Sequence, residues 1–252
     1  MLNQEIKMNK TTRSQDHKTT RPGNDKPARR PVLLSRSPIV LWSFLMLATS
    51  SLLAQTVTRL DSMPGSKVRI EGTSSIHDWR AEANFIGGRI EAGPNFPTGA
   101  AQDLKPGKVD AKADAWITVR ALTSREKNGE HYKDSMDEIM WGHLKQPTNP
   151  RISYHLTELV LKEVPKTKDG AYVFDSTGNL TVAGVTNKIS MPVTVTLVGE
   201  KKVKISGSTM VKMSDFSIDP VKIAVGIAKT GNDVKVIFDW IVGQKEPAAA
   251  AK

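Results

Sequence analysis

The segment from residue 178 to residue 197 is the feature that most constrains how this chain folds. Leu180 and Val182 alternate with small or polar residues, and Gly184 interrupts the alternation before a second run begins. Alternation with a period of two is typical of a strand that buries one face. The second run places apolar side chains at Ile189, Met191, Val193, Val195 and Leu197. The segment predicts two strands joined by a turn, with one apolar face that either packs on another sheet or lines a cavity.

Short alternating runs recur between residue 65 and Trp240. They include Val68 with Ile70, Ile117 with Val119, and Tyr172 with Phe174. Glycine, proline, asparagine and aspartate lie between the runs, as expected for hairpins and loops. The pattern predicts eight to ten strands, with successive strands antiparallel, in a single folded domain over residues 56–245. The tail at 246–252 has low complexity and is predicted to be disordered.

One segment, at about 124–145, has the period of a helix instead. Met136, Ile139, Met140 and Leu144 form an apolar stripe, and two prolines follow within six residues. Such a stripe predicts an amphipathic helix that packs on the core and covers one end of the sheet.

The first 54 residues read as an export signal. Residues 1–38 hold nine Lys or Arg against three acidic residues, a net +6 of the whole chain's +10, and are predicted to be disordered. Residues 39–54 are uncharged and mostly apolar. This segment has sixteen residues, whereas a helix that spans a bilayer needs about 20. A basic flank before a short apolar segment predicts a signal peptide, with cleavage after Ala54, and a periplasmic or secreted protein. An uncleaved anchor is the alternative, and binding to nucleic acid is not predicted.

The sequence offers little support for catalysis. Cysteine is absent, and no His-Glu-x-x-His pair, nucleophile elbow, phosphate loop or dinucleotide fingerprint is present. The histidines are read as surface residues, so no metal site and no cofactor are predicted. His77 and Asp78 are the best candidates for a hydrolytic pair, but adjacent residues of a strand face opposite ways. The alternative is a turn held by Ser74, Ser75 and Asp78 that leads into a strand anchored by Trp79.

Several segments together resemble the YceI-like family. They are residues 72–79 (Gly-Thr-Ser-Ser-Ile-His-Asp-Trp), 135–140 on the predicted helix, 178–186 (Gly-Asn-Leu-Thr-Val-Ala-Gly-Val-Thr), 213–218 and 233–237. The resemblance covers most of residues 66–242. It implies an exported bacterial protein with a lipocalin-like antiparallel β-barrel that binds polyisoprenoid lipids or quinones.

The physical pattern agrees with what the resemblance implies. The predicted fold class is all-β, a lipocalin-like barrel of about eight strands with one helical insertion. About eight strands close around an interior that holds either side chains or one slender ligand. Compact inward residues leave space, and aromatic residues supply walls. The predicted lining is Ala81, Ala83, Phe85, Ala115, Val119, Tyr154, Val182, Val193, Val195, Val234, Phe238 and Trp240.

The leading hypothesis is therefore a non-enzymatic carrier that holds an isoprenoid or other long apolar lipid and contacts membranes transiently. His77, Asp78, Arg80 and Lys212 are candidates to contact a lipid headgroup at the mouth of the barrel. The alternative is that they are polar loop residues exposed to solvent. The main rival is a cell-envelope interaction or stress-related module whose barrel is filled by its own side chains.

Overall fold

The computed structural model describes residues 57–99, 102–167, 169–199, 201–223 and 228–244. The predicted leader (1–38), signal segment (39–54) and tail (246–252) lie outside this part of the chain and stay predictions. In the described part, no helix is both long enough and apolar enough to cross a bilayer.

Strands make up most of the described chain. The strands in chain order are β1 (Thr58–Ser62), β2 (Lys67–Ser74), β3 (Trp79–Ala83), β4 (Gly87–Ala92), β5 (Gly107–Lys108), β6 (Ala111–Thr118), β7 (Thr123–Ser124), β8 (Arg151–Glu163), β9 (Tyr172–Val182), β10 (Val185–Leu197), β11 (Lys202–Lys212), β12 (Lys222–Ile223) and β13 (Ala228–Gly243). One α-helix, α1 (Asp134–His143), and two single 3₁₀ turns, at Val119–Ala121 and Met213–Phe216, complete the elements of these residues.

The strands form a closed meander. β1 and β2 follow one path beside β13, β3 and β4 follow the next, and β5, β6 and β7 follow the third. β8, β9, β10, β11 and β13 continue in order, and β13 pairs back onto β1 and β2. Over the described residues the result is a barrel of eight antiparallel strand paths, which confirms the predicted fold class.

The turn between β9 and β10 shows why the sequence alternates as it does. Ala183 and Gly184 both have positive φ, 50° and 86°, as a two-residue hairpin turn of type I′ requires. The turn brings the two long strands into register from Val182 opposite Val185 down to Tyr172 opposite Val195. Met191, Val193 and Val195 are buried while Pro192 and Ser190 are exposed, so the apolar face predicted from the sequence points inward.

One end of the barrel is closed by packed side chains. After β4 the chain turns at residue 93 and inserts Phe96, which stacks on Phe174 with ring centroids 6.2 Å apart. Both rings are fully buried, as are Leu60, Leu161 and Val242 around them. Because this loop folds across the end of the strands, the barrel has a solid floor.

The opposite end carries α1 and the loops at 75–78, 125–133 and 183–184. The helix is shorter than the predicted 124–145, since it begins at Asp134 and ends at His143. Residues 123–124 are strand β7, and the following turn contains Gly129 with φ of 93°, a conformation that ends helical periodicity. The Trp141 indole N–H donates to the Leu122 carbonyl at 2.8 Å and holds α1 against the barrel.

Candidate functional site

The barrel encloses a cavity of about 1680 Å³ that opens at the end carrying α1. Its floor includes Phe96, Leu159 and Trp240, and Met136, Ile139 and Met140 of α1 border its upper part. Small-molecule sites usually measure about 300–1,000 Å³, so this space exceeds that of an ordinary metabolite site. A core filled by its own side chains describes the closed end, whereas the upper barrel is hollow.

Most of the predicted lining residues lie on the cavity wall. Alternate residues of each strand face inward, so Ala81 on β3 and Val234 on β13 both point toward the same space. The predicted residues on this wall are Ala81, Ala115, Tyr154, Val182, Val193, Val195, Val234, Phe238 and Trp240. Whether they contact a ligand stays a prediction.

Three predicted lining residues lie elsewhere, two of them because a strand is interrupted. The break after β3 adds a residue, so Ile86 takes the inward position while Phe85 is 45% exposed and edge-on to Trp116. Val119 is buried in a 3₁₀ turn, where its N–H donates to the Pro150 carbonyl. Ala83 is buried against the core below the cavity. The alternation assumed for continuous strands therefore misplaced Phe85 and Val119, whereas Ala83 belongs to the packed core at the closed end.

The sequence missed a polar pair within the apolar wall. The Tyr154 hydroxyl lies 2.8 Å from the Ser176 hydroxyl, and Ser176 is only 3% exposed. The tyrosine ring crosses Gly178 to reach it, and a Cβ at Gly178 would lie 2.4 Å from the ring carbon Cζ. Burial raises the pKa of the Tyr154 phenol, and the Ser176 hydrogen bond acts in the opposite direction. The phenol therefore stays protonated at neutral pH.

Polar groups surround the open end. His77, Asp78, Arg80 and Lys212 all border the mouth of the cavity, where the sequence placed them. The Ser74 hydroxyl accepts from the His77 N–H at 3.2 Å, and the Ser75 hydroxyl accepts from the Lys229 N–H at 3.1 Å. The β2–β3 connection is thus a turn held by the side chains of Ser74 and Ser75, as predicted. Asp78 takes part through its backbone carbonyl, 2.8 Å from His77 Nδ1, and Trp79 is only half-buried. Contact with a headgroup stays a prediction.

A His-Asp cluster ties the loop at 125–133 to the start of α1. Asp137 is 2% exposed, accepts the Ser124 N–H at 2.6 Å and lies 2.8 Å from His131 Nε2. Asp134 lies 3.6 Å from the same nitrogen but is 95% exposed. His131 is therefore part of a structural network rather than an isolated surface histidine, and His143 borders the cavity. The side chains of His131, Asp134 and Asp137 lie close enough to share a cation, but the contacts of Asp137 already explain its burial.

The network predicts a large difference between two aspartates of one helical turn. Asp137→Ala is expected to lower the free energy of unfolding by about 2–4 kcal/mol, because it leaves the Ser124 N–H without an acceptor and removes the partner of His131. Asp134→Ala, the matched control, is expected to change it by less than about 0.5 kcal/mol. Urea unfolding measures both, and equal effects would contradict a structural role specific to Asp137.

Comparisons with known proteins place this architecture in a family. A family model described as the YceI-like domain matches residues 65–241. BcnA of Burkholderia cenocepacia is similar, with a TM-score of 0.50 at 16% identity over 70% of this chain and 95% of that one. A polyisoprenoid binding domain from Saccharophagus degradans, implicated in plant cell wall breakdown, has a TM-score of 0.53 at 12% identity over 75% of this chain and 100% of that one.

Identities this low show a shared fold and nothing finer. Among curated proteins, none matches the sequence significantly. The family model, however, covers well over half of the chain. The chain therefore belongs to the YceI-like family.

Proposed function

We propose that this protein is an exported carrier that holds a polyisoprenoid, an isoprenoid quinone or a similar long apolar lipid in its barrel. The observation that carries the proposal is the cavity of about 1680 Å³, walled by aliphatic and aromatic side chains and open at one end. A similar fold is described as a polyisoprenoid binding domain in Saccharophagus degradans. An apolar cavity that is closed at one end suits a flexible hydrocarbon tail better than a rigid polar metabolite.

Burial of the tail supplies the binding free energy. Each buried CH₂ contributes about 0.8 kcal/mol, so a five-carbon isoprene unit contributes about 3–4 kcal/mol before its ordering is subtracted. The lipid is bound and released without covalent change, and the basic leader and apolar segment at 1–54 direct the protein to the periplasm or the medium.

Native mass spectrometry of the gently purified protein tests the proposal. We expect an added mass equal to that of a lipid, which organic extraction recovers chemically unchanged. Lipid-free protein should take up a polyprenol or a prenylated benzoquinone when either is offered in detergent. Protein that arrives empty and takes up neither lipid would contradict the proposal. Cell fractionation of the full-length chain tests export separately.

Apolar side chains at the mouth support transient contact with a membrane. Ile76 is 66% exposed, Met210 is 59% exposed, and both border the cavity opening. Met210 pairs across the strands with Lys235 and is followed on β11 by Val211 and Lys212, so a cationic group flanks it on either side. A lipid that leaves a bilayer through these residues avoids exposure of its tail to water.

The membrane contact predicts an asymmetry between the two ends of the barrel. Ile76→Asp combined with Met210→Asp is expected to slow transfer of a prenylated benzoquinone from phosphatidylethanolamine–phosphatidylglycerol vesicles about tenfold, because two apolar groups no longer enter the bilayer. Val164→Asp combined with Val198→Asp, at the closed end, is the matched control, since these valines are also exposed. Equal slowing by both pairs, or by neither, would exclude docking through the mouth.

A further inference from the structure

The Tyr154–Ser176 pair has a hydrogen-bonding capacity that the barrel does not use. Two hydroxyl groups carry two protons, and their mutual bond at 2.8 Å uses one of them. Within the described residues, neither hydroxyl has a second hydrogen bond. One proton therefore points to no protein acceptor, although both residues line the cavity.

Two indole groups on the cavity wall differ in this respect. The Trp240 indole N–H donates to the Ser62 hydroxyl at 2.9 Å, and Ser62 in turn donates to the Gly88 carbonyl at 3.0 Å. The Trp79 indole N–H donates to the Thr73 carbonyl at 3.1 Å. Both indole donors are satisfied by the barrel itself, whereas the hydroxyl pair keeps one proton without an acceptor.

The pair lies well inside the barrel rather than at its mouth. Ser176 is opposite Leu159 on β8 and Met191 on β10, and both of these neighbours line the cavity. A buried hydroxyl without an acceptor costs free energy, and the cost disappears when a ligand supplies an oxygen. A charged phosphate would meet only apolar neighbours at this depth, whereas a neutral carbonyl needs a single donor.

We propose that Tyr154 and Ser176 form a recognition site for a neutral oxygen acceptor, a quinone or ketone carbonyl, carried inside the barrel by an otherwise apolar lipid. This inference rests on the proposed lipid carriage and adds to it a chemical class and an orientation. The oxygen-bearing end of the cargo lies within the cavity, and the rest of the tail fills the remaining space. The raised pKa of the Tyr154 phenol supports this assignment, because the donor persists across the physiological pH range.

Gly178 explains how the site is built. The tyrosine ring lies over the glycine, and a side chain there would also come within 2.5 Å of the His155 carbonyl. The ring is thereby fixed along β9, and its hydroxyl is held at Ser176. A preorganised donor costs less ordering on binding than a mobile one.

The test compares two ligands that differ in one oxygen. One is a methyl ketone with a tail of four isoprene units, and the other is the hydrocarbon in which a methylene replaces the carbonyl. Tyr154→Phe and Ser176→Ala are each expected to weaken ketone binding by roughly three- to tenfold and to leave hydrocarbon binding unchanged. Tyr172→Phe is the matched control, because Tyr172 is buried on β9, the strand that carries Ser176, but at the closed end.

A spectroscopic readout separates recognition from packing. With a ¹³C-labelled carbonyl, the infrared stretch of the bound ketone is expected to lie below its value in hydrocarbon solvent and to return toward that value in Tyr154→Phe. An unshifted stretch in the unmodified protein, or equal losses for ketone and hydrocarbon in the variants, would overturn the proposal. Binding of the hydrocarbon without any preference for the ketone would refute this site alone. Binding of neither ligand would refute lipid carriage as well.

Discussion

The double substitution Ile152→Trp and Val236→Trp is expected to abolish lipid uptake while the barrel stays folded. Both residues line the cavity, and β8 and β13 are four steps apart in the eight-path ring, so their side chains point inward from opposite walls. Two indole rings entering from opposite walls constrict the bore. Each excluded isoprene unit lowers affinity about tenfold to a hundredfold once its ordering cost is subtracted. Exclusion of two or more units therefore predicts a loss of affinity of at least about 100-fold.

The same variant distinguishes a hollow barrel from a filled one. Extra volume forced into a packed core typically costs about 1–3 kcal/mol per site. In an open cavity the rings bury apolar surface without displacing their neighbours, so the free energy of unfolding is expected to stay within about 1 kcal/mol of the parent or to rise. Fluorescence titration with a prenylated benzoquinone and urea unfolding measure the two effects.

The control moves the same bulk to the outer face of the same strands. His155→Trp combined with Ile237→Trp adds two indoles at positions that alternate with the inward residues, and neither residue borders the cavity. This pair is expected to leave affinity unchanged. Loss of binding in both double variants would show that the effect comes from general disturbance of the sheet, and a destabilised inward variant that still binds lipid would contradict a hollow bore.

The alternation of side chains predicted the strands and their inward faces, because a barrel repeats one rule around its whole circumference. The choice of a barrel over two stacked sheets rested on the resemblance to the YceI-like family. Each strand must present alternate residues to the interior, so Met191, Val193 and Val195 could be assigned to the inner face from sequence. The rule fails where a strand is interrupted. Phe85 and Val119 were misplaced because an extra residue and a 3₁₀ turn each changed the direction of the side chain.

The hollow interior could not be predicted in the same way. The volume of the cavity depends on how far the packed side chains around Phe96 extend into the barrel and on the position of α1. Both are determined by contacts between parts of the chain that are distant in sequence. The predicted helix began ten residues too early because residues 124–133 combine helix-forming side chains with a turn at Gly129. The hydroxyl pair was invisible for a related reason: Tyr154 and Ser176 meet only because β8 and β9 pair and Gly178 leaves room.

Affinity is expected to rise steeply with tail length and then to stop rising. Each isoprene unit contributes about 3–4 kcal/mol of burial, less the cost of ordering its rotatable bonds, so affinity should increase about tenfold to a hundredfold per unit. The increase ends when the tail fills the cavity of about 1680 Å³, since further units remain in water or in the bilayer. Titration of benzoquinones with one, two, three, four and eight isoprene units measures both the slope and the plateau.

The tail length at which affinity stops rising is the informative quantity, because an increase of affinity with tail length alone would also follow from adsorption on any apolar surface. Surface adsorption has no limiting volume, so affinity would continue to rise through eight units. A cavity predicts a limit, and it further predicts that the single substitution Val236→Trp moves the plateau to a shorter tail while Ile237→Trp leaves it in place. A plateau that does not move when the bore is narrowed would show that the tail binds somewhere other than inside the barrel.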